Sequence, residues 1–192
     1  MIVIADTGGA NIGSVEFALK RLGQDYKFAK YPDDLEGASK IILPGVGNAR
    51  DAMERLKISG LGEAVKAATV PVLGICLGMQ IMYEYSEEGN VQGLGLIPGR
   101  VKKIESKNLA VPHMGWNALK KENSSCFDFA ENSYVYFVHS YMCEFNDYVT
   151  LYVDYEEKIP AMVNKENFYG MQFHPEKSSK VGEQLLKRFI EI

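Results

Sequence analysis

The sequence predicts an α/β fold: a single domain on a largely parallel central sheet flanked by helices, with additional antiparallel strands in the C-terminal half. Three observations predict it. The 192 residues, 46% hydrophobic and 24% charged, suit one domain spanning 1–192, with a real core and no long disordered tail. The first half alternates short apolar runs with helix-periodic segments, the pattern of parallel strands covered by helices on both faces. The second half instead sets strand-like runs one after another with turns between them.

Taken in order, Ile2–Ala5 is a continuous apolar run of strand length. Val15, Ala18, Leu19 and Leu22 then fall at i, i+3, i+4 and i+7, the stripe of a helix. A second strand is expected at Tyr26–Ala29 and a third at Lys40–Leu43, the latter leading through a PGVG loop at 44–47 into a helix over 49–56. A fourth strand at 70–75 runs directly into a helix expected over 77–85. Later strands are expected at 134–138, 149–153, 161–164 and 168–173. A last helix over 180–190 carries Val181, Leu185, Leu186 and Phe189 on one stripe, with Ser178 or Ser179 placed to cap it.

Charge and termini exclude several classes of function. With 25 acidic and 21 basic residues the net charge is −4, which does not favour phosphate backbones or anionic membranes, so neither nucleic acid nor a membrane is expected as a partner. The start MIVIADTGG lacks the basic and long apolar regions of a signal peptide, and a cytoplasmic location is expected. The three cysteines show no metal-type spacing, and no metal or cofactor is expected. Cys126 and Cys143 read as small, partly buried hydrophobes. Cys76 does not.

VPVLGICLGMQ places Cys76 directly after an apolar strand and directly before a helix, with glycines two residues to either side. That is the pattern of a nucleophile elbow, whose sharp turn admits only small flanking residues. The following helix start favours a thiolate, and the Leu77 N–H points where an oxyanion would form. A cysteine merely packed at a strand end is the alternative on this segment alone. The rest of the chain weighs against it. A thiol acting on an amide needs a proton shuttle, and His174 lies at the end of an apolar run with Glu176 two residues on. In extended chain i and i+2 face the same side, so the carboxylate can orient the imidazole.

GICLGMQ (74–80) together with QFHPEKS (172–178) resembles the class I, or triad, glutamine amidotransferases over essentially the whole chain. The resemblance implies that Cys76 attacks the γ-amide carbonyl of glutamine, that His174 protonates departing ammonia and later activates water, and that Glu176 orients His174. PGVG, PHMGWN (112–117) and YFVHSY (136–141) narrow the likeness to the glutaminase subunits of imidazole glycerol phosphate synthases in histidine biosynthesis. By that likeness Gly45, Val46 and Gly47 border an oxyanion hole shared with the Leu77 N–H, and the glycines let the Val46 peptide reorient when a partner is loaded. Gln80, His139, Ser140 and Tyr141 would hold glutamine. Met114, Trp116 and Lys177 would lie at a partner interface.

Other readings stand beside these. Met114 and Trp116 are as readily core residues, and His139 a structural histidine. The first loop reads DTGGAN and the loop after PGVG continues NARDAM, both departures from the usual pattern that leave the triad untouched. The chain has no residues left over to consume ammonia, and the resemblance supplies the consumer as a (β/α)8-barrel cyclase subunit in a heterodimer. The alternatives are a subunit of another ammonia-consuming synthase, an independent cysteine hydrolase, and a non-catalytic assembly module.

Overall fold

The structure, a computed structural model, describes residues 1–8, 12–45 and 47–192. β1 (Ile2–Ala5) leads to α1 (Ile12–Arg21) and β2 (Tyr26–Ala29). β3 (Lys40–Leu43) leads to α2 (Ala49–Ser59) and α3 (Leu61–Lys66), and β4 (Val72–Ile75) to a single helical turn, α4 (Leu77–Gln80). The chain continues through β5 (Tyr83–Ser86), β6 (Val91–Gln92), β7 (Ile97–Lys103), β8 (His113–Ala118) and β9 (Lys120–Lys121). It ends with β10 (Tyr134–His139), β11 (Tyr141–Cys143), β12 (Val149–Tyr155), β13 (Glu157–Lys165), β14 (Phe168–Met171) and α5 (Ser179–Glu191).

Eight strands form the main sheet in the order β2-β1-β3-β4-β14-β13-β12-β9. The first five are parallel and the last three are added antiparallel, as the change of pattern midway along the chain predicts. Side chains alternate across it. Ile2 and Ile4 join Leu19, Leu185 and Phe189 in one core, while Val3 and Ala5 join Leu56 and Leu61 in the other. Period-two burial therefore fixes α1 and α5 to one face and α2 and α3 to the opposite face. Beside this sheet lie a four-stranded sheet, β11-β7-β5-β6, and the two-stranded ribbon β10-β8.

Two local expectations are corrected. The helix expected over 77–85 stops at Gln80, because Tyr83–Ser86 pairs in parallel with β7, a strand the sequence pattern does not reveal. Tyr83 and Tyr85 are strand-favouring residues, and the Tyr83 side chain is fully buried. Ser178 stands at the N-cap of α5 without capping it through its side chain. Its hydroxyl instead donates to His174 O (2.7 Å) and accepts from Tyr136 N–H (3.0 Å), which ties the turn after β14 to β10.

Candidate active site

The carboxyl ends of β4 and β14 are adjacent, with Ile75 opposite Met171, and Cys76 N–H donates to Met171 O at 2.7 Å. Cys76 and the segment holding His174 thus leave neighbouring strands at the same level, although about a hundred residues separate them. Cys76 sits at φ 53°, ψ −109°, a left-handed backbone that a residue with a Cβ adopts only under strain. Three glycines make the bend possible. A Cβ on Gly78 would lie 1.9 Å from Leu43 O, one on Gly74 2.5 Å from Gly78 C, and one on Gly45 2.2 Å from Gly78 N. Gly74 and Gly78 are the flanking pair expected from the sequence; Gly45 adds β3 to the same contact.

His174 is buried, and its Nδ1–H donates to Glu176 Oε1 at 2.8 Å. That fixes the tautomer and leaves the other nitrogen for Cys76, which lines the same cleft. The pairing does not arise from extended chain: residues 175–177 form a 3-10 turn with Pro175 at its start, and the turn brings the carboxylate back to the ring. Burial opposes a charge on His174, but hydrogen bonds and attraction from Cys76 and then Glu176 outweigh it and hold the pKa up at about 9. Glu176 is itself enclosed, with Oε2 buried and unpaired among the described residues. Imidazole and carboxylate are therefore hydrogen-bonded to each other beside the thiol, and the ring carries a proton at neutral pH.

This site opens on a cleft of about 340 Å³. Gly45, Gly47, Leu77, Gln80, His139, Ser140 and Tyr141 line it together with Cys76 and His174. Val46 lies outside the described residues, as do residues 9–11 of the unusual first loop. The N–H of Leu77 has no acceptor among the described residues, which leaves it free for an oxyanion. With α4 only one turn long, the helix dipole contributes little, and the imidazolium is the principal positive charge beside the sulfur. A larger hollow of about 630 Å³ lies beside Asp6, Lys30 and Arg55, but its lining holds neither cysteine nor histidine.

His139 is engaged on both ring nitrogens. Nδ1–H donates to Tyr141 O (2.8 Å), so Nε2 accepts from Nδ1–H of His113 at 3.0 Å. His139 therefore faces the cleft with no free ring donor. Burial holds His113 down at about 4 and His139 at about 3, so both rings are neutral. The linkage has a definite sign. As pH falls, the unfolded chain binds protons near 6.5 whereas the folded rings do not, so stability declines between about pH 6.5 and about 4. For His113 alone the loss is about 3 kcal/mol, at ~1.4 kcal/mol per pKa unit. Denaturant titrations between pH 7 and 4.5 should show this decline. NMR should show His174 charged at pH 7 and the other two rings neutral down to pH 5; if those two titrate near 6.5, the buried neutral pair is refuted.

Met114 and Trp116 are 61% and 51% exposed on β8, which rules out the core reading for both. Trp116 meets Tyr136 edge-on across the ribbon, Tyr134 is also exposed, and Lys177 is exposed beside Glu176. Cys143 is fully buried, while Cys126 is only partly so. Sequence reasoning missed Glu88, whose carboxylate lines the cleft and accepts from Ala49 N–H at the start of α2 (2.9 Å). Burial raises its pKa more than that hydrogen bond lowers it. It sits in SEEGN, which reads as a charged surface turn, so no local pattern could have marked it. Gln172, fully buried, was also missed as a site residue although it stands in a quoted motif.

Comparison with known proteins gives the family of the chain. The family described as glutamine amidotransferase class-I matches residues 3–192. Imidazole glycerol phosphate synthase subunit HisH of Idiomarina loihiensis is 44% identical over 191 residues, covering 100% of this chain and 97% of that protein. The subunit of the same name from Haemophilus influenzae is 47% identical, covering 99% and 96%. Among solved structures, PurLQS from Thermotoga maritima aligns over 99% of this chain and 97% of that one, with a TM-score of 0.74 and 21% identity. A glutamine amidotransferase from the same organism aligns over 99% and 80%, with a TM-score of 0.65 and 20% identity. At those identities the two structures speak for the fold.

Proposed function

The chain belongs to the class I glutamine amidotransferases, and from that premise we propose that it is the glutaminase subunit of an imidazole glycerol phosphate synthase. The observation that carries the chemistry is the buried His174–Glu176 pair beside Cys76 at the edge of a cleft of about 340 Å³. The Cys76 sulfur attacks the γ-carboxamide carbon, forming a C–S bond while the carbonyl oxygen takes up charge beside the Leu77 N–H. As the C–N bond breaks, His174 gives its proton to nitrogen and ammonia departs. His174 then takes a proton from water, the resulting oxygen attacks the thioester, and glutamate leaves with the sulfur restored. Glu176 holds the imidazole tautomer throughout.

The remaining wall residues divide the substrate between them. Both hydrogen bonds of the Gln80 side chain use Nε2, to Tyr141 O and Gln172 Oε1, which leaves its Oε1 as an acceptor toward the cleft. Glu88 supplies a carboxylate for the α-ammonium of glutamine. Ammonia passes to a (β/α)8-barrel cyclase, docked on the exposed face of Met114 and Trp116 with Lys177 at its margin. Aromatic and methionine side chains suit such an interface.

Reconstitution tests this reading. With the cyclase subunit and its phosphoribosyl-formimino nucleotide, glutamine should replace ammonium salt as the nitrogen source, with one glutamate formed per cyclised product. If the mixture makes product from ammonium salt but never from glutamine, the assignment fails. Coupling to a different ammonia-consuming synthase would replace the partner but keep the chemistry.

A further inference from the structure

We infer that Gln172 is a further catalytic residue: its side-chain amide donates a fixed hydrogen bond to the Cys76 sulfur and holds the thiolate in place for attack. The inference rests on the reading of Cys76 as the nucleophile. Gln172 is fully buried just after β14, where the pairing of Met171 with Ile75 brings it level with Cys76. Its backbone N–H is occupied by Ala161 O (2.9 Å), and its Nε2 lies 3.7 Å from Cys76 Sγ.

The two ends of a glutamine amide are alike in shape, so their orientation is decided by their neighbours. Here the neighbours leave one solution. Tyr141 O can only accept, so the Gln80 atom 2.8 Å from it is Nε2. That same Nε2 lies 2.9 Å from the Gln172 amide, and having only hydrogens to offer it requires Oε1 there. Nε2 of Gln172 is then turned to the sulfur. A backbone carbonyl, which cannot flip, thus dictates through two amides that the nucleophile faces a donor.

This donor differs in kind from His174. It is neutral and keeps its hydrogens while His174 gives a proton to ammonia and takes one from water. In deacylation the C–S bond breaks and the electron pair returns to sulfur, where the Gln172 N–H is already in place to receive it. An N–H bonded to a charged acceptor is worth more than one bonded to a neutral acceptor, so the bond favours the ionised thiol over the acylated one.

The test reads the thiol itself, so its failure is distinguishable from failure of the amidotransferase assignment. In the full chain, alkylation of the Cys76 peptide by iodoacetamide is followed against pH by mass spectrometry, comparing wild type with Gln172→Met, which keeps length but removes the donor. Alkylation at pH 7 should fall about tenfold in the variant, with the gap closing as pH rises toward 10. Equal rates at pH 7, or slowing by the same factor at every pH, would overturn the role. If the variant does not fold, wild-type chain labelled with 15N-glutamine decides: the Gln172 side-chain amide signals should move when Cys76 is alkylated. Signals that stay put would equally overturn it.

Discussion

Cys76→Ala is expected to remain folded and to lose glutamine hydrolysis by about 10⁴-fold or more, the scale seen when a nucleophile acting as part of a unit is removed. The backbone supports this separation of folding from activity. Alanine keeps the Cβ already tolerated at φ 53°, and only one sulfur is lost from a site facing a cleft. His174 would keep Glu176 but lose the sulfur that helps raise its pKa, so even the surviving imidazole should be protonated less. Acid-quenched wild type should yield a glutamyl adduct on the Cys76 peptide, and the variant none. Cys143, fully buried, and Cys126, away from the cleft lining, serve as controls whose alanine variants keep the adduct. Residual activity within tenfold of wild type in Cys76→Ala would end the covalent mechanism. With a cyclase partner, synthesis from ammonium salt should survive the substitution, since only the source of ammonia is removed.

Gly78→Ala should be among the most destabilising single changes in the chain, about 4 kcal/mol or more. The added Cβ would stand 1.9 Å from Leu43 O and 2.9 Å from Leu43 C, and backbone atoms cannot rotate away as a side-chain tip can. Relief requires β3 to move off the elbow, which also displaces the loop holding Gly45. A suitable reference is Gly23→Ala: Gly23 has φ +67°, but a Cβ there meets nothing within 4 Å, so the cost is backbone strain alone, about 1 kcal/mol. Thermal unfolding should therefore separate the two variants, with a fall in Tm of about 10 °C for Gly78→Ala and a few degrees for Gly23→Ala. Similar losses in the two would mean that the contact between β3 and the elbow yields easily.

Much of this site was legible in the sequence because its chemistry lies in short contiguous motifs. Cys76 with its two glycines encodes the elbow locally, and His174 and Glu176 are close enough in sequence to be read as a pair. Ile2–Ala5 and Lys40–Leu43 were equally readable, since the short apolar runs IVIA and IIL have few other fates in a compact fold. What escaped depended on contacts remote in sequence. β5 replaces the end of an expected helix only because β7 lies beside it, and Ser178 abandons its cap because Tyr136 and His174 compete for the hydroxyl. Glu88 becomes a cleft residue through the N-terminus of α2, thirty-nine positions away. The amide chain from Tyr141 to Cys76 spans three separate segments, so no sequence window contains it.

The position of β14 has a consequence for how the active protein comes into being. It is the last strand in chain order, yet it occupies the interior of the sheet between β4 and β13. Until residues 168–176 have been synthesised and threaded into that gap, Cys76 N–H lacks Met171 O, and the thiol has neither imidazole nor amide beside it. Contacts of such long sequence separation form late, after loop closure has been achieved elsewhere. A nascent or half-folded chain that lacks β14 in the sheet thus carries a cysteine without its partners, and glutamine-consuming activity requires that strand to be in place.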